Sequence, residues 1–261
     1  MKQYVVDAFA EELFTGNPAA VLPCRKMPSG EIMQKIAIEN NYSETAFVVK
    51  KETGRYDLKW FTPGSEVKLC GHATLATAFV LTQFAYPGED TLRFDTLSGE
   101  LTVTRDGEYY TLNFPKGNLE RIPVDQAILR ASNDLAKEAY RNNGTVLVLI
   151  ECEEQLKAFQ PDAEAIIPLG DQGMIVTAPS SAYDFVSRCF YPALGVLEDP
   201  VTGSAHTFLG PFWAERLKKE TLLAKQISPR GGVLKVRPVG DRVAISGKAK
   251  LFMAGDIPFD L

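Results

Sequence analysis

Several things are scarce in this chain, and each absence removes a class of function. No apolar run approaches the roughly 20 residues of a membrane span. The N-terminal MKQYVVDAFAEELF carries acidic residues where a signal peptide needs an apolar core, so a cytoplasmic protein is expected. Basic charge is not in excess: 28 Lys and Arg against 33 Asp and Glu leave a net charge of -5. That balance argues against a nucleic-acid or acidic-membrane surface and favours small-molecule work. Paired cysteines are missing too. Cys24, Cys70, Cys152 and Cys189 are scattered, with no C-x-x-C and no adjacent histidine beyond the C-G-H at Cys70, so neither a metal centre nor a disulfide framework is expected. The P-R-G-G at 229–232 lacks both the G-x-G-x-x-G spacing and a following helix, so no nucleotide cofactor site is read. What remains, 45% apolar and 23% charged residues, is the composition of an ordinary globular enzyme.

Histidine is scarce as well, and the two present sit in similar surroundings: His72 in LCGHATLATAFVL and His206 in DPVTGSAHTFLGPFWA. In each, glycine and small residues open an apolar run at helical spacing. Gly71, His72 and Thr74 are expected to open one helix, and Asp199, Thr202, Gly203 and Ser204 a second. A helix N-terminus presents unpaired N–H groups and the positive end of the macrodipole, and glycine allows a ligand to approach that backbone. Two ordinary N-caps read the same way. Recurrence about 130 residues apart favours a duplicated unit with an anion, such as a carboxylate, held between the two termini.

The elements around the motifs repeat in order. QYVVDAF and AAVLP form a hairpin across TGNP, and Ser29 caps a helix over EIMQKIAIENN that ends at Asn40 and Asn41. ETAFVVK and RYDLKWFT are strands, and after the first motif helix TLRFDTL, ELTVTR and EYYTLNF make a meander with turns at Ser98-Gly99 and Asp106-Gly107. Pro115, Gly117 and Pro123 mark a joint, giving domains 1–117 and 118–261. The second half then runs through a helix at VDQAILRA, strands TVLVLIE, GMIVTA and YDFVSRCF, the helix GSAHTFLGPFWAERLKK, and strands LLAKQIS, GVLKVRP and RVAISGK. Pro211 should bend that second helix or be tolerated at some cost.

Glu44, in NNYSETAFVV, is the sharpest single candidate. It enters a strand that reads as buried, where an unpaired carboxylate is costly and a carboxyl moved toward neutrality suits proton transfer. A solvent-facing loop end is the competing reading. Trp60, Phe61 and Trp213 read as core, His206 as a packed structural histidine, and Asn17 as either a site residue or a turn former.

TGNPAAV, YSETAFV, WFTP followed by EVKLCGHATLA, and EDPVTGSAH occur in an order that resembles the phenazine-biosynthesis isomerase (PhzF-like) family across nearly the whole chain. The resemblance implies an α/β (α+β) fold like that of diaminopimelate epimerase. It has two similar domains, each a curled, mostly antiparallel sheet around a central helix, with the site in the cleft between them and the last residues free to cross back to the first domain. It implies a cofactor-independent isomerase of a small carboxylate, with Glu44 as acid/base, His72 and Asp199 completing the polar site, and Gly71, Gly203 and Ser204 binding the substrate carboxylate. A homodimer is among its implications. In related epimerases a thiol stands at each helix N-terminus and the pair works from opposite faces of one carbon. Here Cys70 fills the first position, but the corresponding stretch of DPVTGSA has Pro200 and Val201 and no thiol, which favours one base and an allylic proton shift. Two alternatives stay open: an amino-acid epimerase using Cys70 with another base, and a non-catalytic carboxylate-binding protein.

Overall fold

The computed structural model describes residues 1–258. The chain divides into two compact units, one of Met1–Phe114 with the residues from Ala244 onward, the other Pro115–Val243. The first unit ends at Phe114 and resumes at Ala244, so the described residues 244–258 lie with it. Among the described residues no helix is long and apolar enough to cross a membrane.

The first unit opens with strands β1 (Lys2–Ala8) and β2 (Asn17–Cys24), helix α1 (Gly30–Asn40), β3 (Glu44–Glu52), β4 (Arg55–Phe61) and the short β5 (Glu66–Val67). Helix α2 (Gly71–Val80) follows and continues into a π-helical turn, and β6 (Thr91–Thr96), β7 (Gly99–Asp106) and β8 (Tyr109–Pro115) form the meander. β1 pairs antiparallel with β2 and, on its other side, with β18 (Ala249–Asp256). β2 lies parallel to β3, β3 antiparallel to β4, and β4 parallel to β6. Helix α1 has the caps its sequence calls for: the Ser29 hydroxyl accepts from Ile32 N at 3.4 Å, and Asn41 ends the helix in the left-handed region at φ 51°. Helix α2 packs against β1, β2 and β3, and nearly every residue from Gly71 to Val80 is buried. A helix enclosed on all sides needs apolar residues all round, and GHATLATAFV keeps most of them small enough for the strands to come close.

The second unit contains β9 (Glu120–Ile122), α3 (Gln126–Ala131), β10 (Glu138–Asn142), β11 (Thr145–Leu149), α4 (Glu153–Ala158), α5 (Ala163–Ile166), β12 (Gly173–Pro179), β13 (Phe185–Tyr191) and β14 (Val196–Asp199). Then come α6 (His206–Leu217), β15 (Leu222–Gln226), β16 (Gly232–Val239) and β17 (Arg242–Gly247), the last carrying the chain back to the first unit. The pairing scheme of the first unit recurs. β10 and β11 are antiparallel, β11 and β12 parallel, β12 and β13 antiparallel, β13 and β15 parallel, and β15 and β16 antiparallel. In each unit a short strand returns on the preceding one before the apolar helix, β5 on β4 and β14 on β13. The repeat seen in the motifs is thus a repeat of topology.

Two details of the second motif helix depart from its sequence reading. It starts at His206, not at Gly203 or Ser204; residues Gly203–Ala205 form a turn, with His206 N donating to Gly203 O at 3.1 Å. Pro200 biases Asp199 toward extended backbone and so delays the helix. Pro211 lies inside the helix, and the carbonyl it leaves without an N–H, that of Thr207, accepts instead from Gly117 N at 3.2 Å.

Candidate active site

In the first unit the geometry starts with a glycine. Gly16 adopts φ +72°, and a Cβ built there would lie 2.3 Å from Ala8 O, so only glycine allows the chain to turn this tightly into β2. Asn17, the first residue of β2, is thereby fully buried. Because β2 runs parallel to β3 with Ala19 opposite Glu44, the two strand heads lie side by side. This juxtaposition brings Asn17 and Glu44 to the imidazole of His72 at the N-terminus of α2. The Asn17 side-chain amide is hydrogen-bonded to His72 Nδ1 at 3.2 Å. His72 Nε2 lies 3.0 Å from Glu44 Oε2, with the imidazole side chain 7% and the carboxylate 17% exposed. Among the described residues neither atom has a hydrogen-bond partner, so the pair is held by mutual attraction and by its walls. Burial pulls the His72 imidazole down, but the Cys70 and Glu44 groups facing it more than offset this, and its pKa stands well above the usual histidine value.

Cys70 precedes α2 and does not cap it with its side chain; its Sγ sits 3.6 Å from His72 Nδ1. Burial, and then the Glu44 charge, push the thiol up, so Cys70 stands here as a neutral thiol rather than a thiolate. Glu44, Cys70 and His72 bring their donor atoms within 4.8 Å of one another, the one group of this kind among the described residues. These are ligand types that zinc accepts. Gly71 is the first residue of α2 and is buried. Trp60 and Phe61 lie in the core, as does Trp213 of the second unit, whose Nε1 donates to Thr177 Oγ1 at 3.0 Å.

In the second unit Asp199 ends β14 and is half-buried, Gly203 is buried, and Ser204 is exposed. The Thr202 hydroxyl donates to the Asp199 carboxylate. His206, fully buried, donates from Nδ1 to Thr202 O at 2.8 Å and stacks on Phe185 with ring centroids 5.9 Å apart. Burial lowers its imidazole to about 4, so it is a neutral structural histidine. The sequence reading passed over Gln226, the last residue of β15, which is fully buried and accepts from Thr202 N at 2.8 Å. A polar residue at an inward position of LLAKQ was the available signal.

The family model described as phenazine biosynthesis-like protein matches residues 6–255. An uncharacterized isomerase of Pseudomonas aeruginosa is 47% identical over 254 residues, covering 97% of each chain. A crystal structure of a PhzF-family phenazine biosynthesis protein from Enterococcus faecalis superposes with a TM-score of 0.95 at 49% identity, covering 99% of both chains. A predicted epimerase from Pseudomonas aeruginosa superposes with a TM-score of 0.79 at 21% identity over 99% of both chains, a likeness of fold alone.

Proposed function

The chain belongs to the phenazine biosynthesis-like family, a family of isomerases, and from that premise we propose that it moves a proton within a small carboxylate substrate, with Glu44 as acid and base. The observation that carries this is the 3.0 Å pair of Glu44 Oε2 and His72 Nε2 at the head of a buried helix. A carboxylate in this setting is shielded from water and held against its histidine neighbour. Glu44 takes a proton from an acidic C–H of the substrate, and the electron pair of that bond becomes a new carbon–carbon double bond as the existing one shifts. The same carboxyl then returns the proton to the far carbon, so one C–H bond is lost and one is gained. His72 fixes the carboxylate's orientation, and Asn17 fixes the ring. The Gly71 backbone receives the substrate's carboxylate. Asp199 is the second polar group acting on the substrate, and Gly203 and Ser204 add N–H donors to its carboxylate. The same reading takes the protein as a cytoplasmic homodimer that needs no cofactor.

The test offers a panel of small unsaturated carboxylates with acidic C–H bonds in deuterated water, followed by NMR. One shielded carboxyl should return a large share of the proton it removed, whereas two bases on opposite faces would invert a centre and introduce solvent deuterium. Glu44→Gln keeps the side chain's size and should lower turnover by about 10² to 10⁴ while binding survives. Turnover of every accepted substrate at the unmodified rate would remove Glu44 from the mechanism. An epimerase using Cys70 would show itself by inversion and by loss of activity in Cys70→Ala; the raised thiol speaks against it. Binding of small carboxylates without any turnover would favour the non-catalytic reading.

A further inference from the structure

Asp199 is the last residue of β14, and the residues that follow it, Pro200 to Thr202, lie outside regular structure, so the aim of its half-buried carboxylate depends on what holds that segment. Gln226 does this with its whole amide. Its Oε1 accepts from Thr202 N at 2.8 Å, and its Nε2 donates to Asp199 O at 2.7 Å and to Thr202 Oγ1 at 3.2 Å. Around it, Ser228 Oγ donates to Pro200 O at 2.7 Å, and His206 Nδ1 takes Thr202 O. Four backbone groups, Asp199 O, Pro200 O, Thr202 N and Thr202 O, are therefore satisfied by side chains and not by helix or sheet. Thr202 Oγ1 receives a hydrogen from Gln226 Nε2 and gives its own to Asp199 Oδ2, so the hydroxyl's orientation is dictated by the amide. A residue with two donors and one acceptor in this place need not be a glutamine for packing alone: Leu would fill the volume.

We infer that Gln226 is a positioning residue for Asp199, setting the direction of its carboxylate through the Thr202 hydroxyl and the Asp199 and Thr202 backbone. This deepens the reading in which Asp199 acts on the substrate. Two substitutions in the full chain separate the role from mere support. Gln226→Leu removes every polar contact. Gln226→Glu keeps the acceptor for Thr202 N but can donate to Asp199 O only when its carboxyl is protonated.

Two-dimensional 1H–15N NMR reads the brace without any substrate. In Gln226→Leu the shift changes and the faster amide exchange should concentrate on residues 199–204, with Thr202 N–H losing protection. Changes scattered over β13, β15 and β16 with Thr202 still protected overturn the inference. With a panel substrate that the unmodified protein turns over, Gln226→Leu should lower kcat about 10- to 100-fold with KM within about threefold. Gln226→Glu should approach unmodified turnover in acid and lose it as the introduced carboxyl ionises. A loss in Gln226→Glu that does not vary with pH, or equal damage to KM and kcat, also overturns the inference. If no panel member is turned over, the isomerase reading fails while the NMR arm still decides whether Gln226 braces the segment.

Discussion

Replacing His206 by asparagine tests the physical account of the second motif helix most directly. The imidazole is fully buried, its Nδ1 proton is committed to Thr202 O at 2.8 Å, and among the described residues its Nε2 atom has no hydrogen-bond partner. Protonating Nε2 would place a charge in this surround, and burial accordingly lowers the group from 6.5 to about 4. In the unfolded chain the ring titrates near 6.5, so between pH 6.5 and 4 the unfolded state binds more protons and stability falls with falling pH. With each pKa unit equal to about 1.36 kcal/mol, the loss relative to pH 8 is about 2 kcal/mol at pH 5 and about 3 kcal/mol at pH 4. Asparagine Nδ2 can replace the Nδ1 donor but cannot titrate. It leaves space against Phe185, so at pH 8 the variant should be weaker by about 1 to 3 kcal/mol. The deficit should then shrink toward acid, and the two proteins' stabilities should converge below pH 5. Urea unfolding in steps from pH 8 to 4.5 measures this. Parallel stability curves for the two proteins would show that His206 is not held neutral by burial, and the account of this helix terminus would be wrong.

Because the chain has two histidines, proton NMR should resolve two imidazole signals: one, lost in His72→Gln, titrating above 6.5, the other, lost in His206→Asn, silent above about pH 5. His72 thus acts with the opposite sign to His206. Its raised pKa gives stability that is complete below 6.5 and lost as pH rises through the folded value, so His72→Gln should be most costly in acid. Gly210→Ala places a Cβ 2.4 Å from Val236 Cγ1, and overpacking of about 1 to 3 kcal/mol should outweigh the roughly 1 kcal/mol of helix propensity gained. Urea midpoints read this, and Val236→Ala in the same chain should recover part of the loss. Cys70→Ala should keep at least about a third of turnover by the deuterium assay, because a neutral buried thiol contributes packing and not charge.

The strands of both meanders, the Ser29 cap and the two motif helices were legible because period and cap chemistry are local. What escaped the sequence was set by partners far along the chain. β10 (EAYRN) is polar, and β18 (AKLFMAGD) leaves Phe252 and Met253 exposed, so neither alternates cleanly; each is a strand because β11 and β1 supply its hydrogen bonds. The start of α6 was placed too early, because Gly203–Ala205 form a turn before His206. Glu44 and His72 were nameable from their motifs, but their pairing depended on the parallel register of β2 and β3, and Asn17 on the tight turn at Gly16.

The duplicated topology also bears on how many bases the protein can carry. Glu44 heads β3, the strand parallel to β2 in the first unit; the strand that holds the same place in the second unit is β12, parallel to β11 with Thr145 opposite Gly173. Gly173 heads that strand. A Cβ added there would lie 2.1 Å from Phe190 O and 2.8 Å from the Tyr191 ring, so no side chain fits, and a carboxylate least of all. The neighbouring helix terminus has diverged in the same sense. His72 faces an acid, whereas His206 faces a carbonyl and is kept neutral by burial. One half of the repeat thus holds a titratable pair at its strand head, and the other holds a neutral, hydrogen-bonded segment ending β14. An enzyme inverting a stereocentre needs two bases of comparable standing on opposite faces. A frame whose second strand head is sterically closed, and whose corresponding stretch DPVTGSA carries no thiol, favours the single-base proton shift.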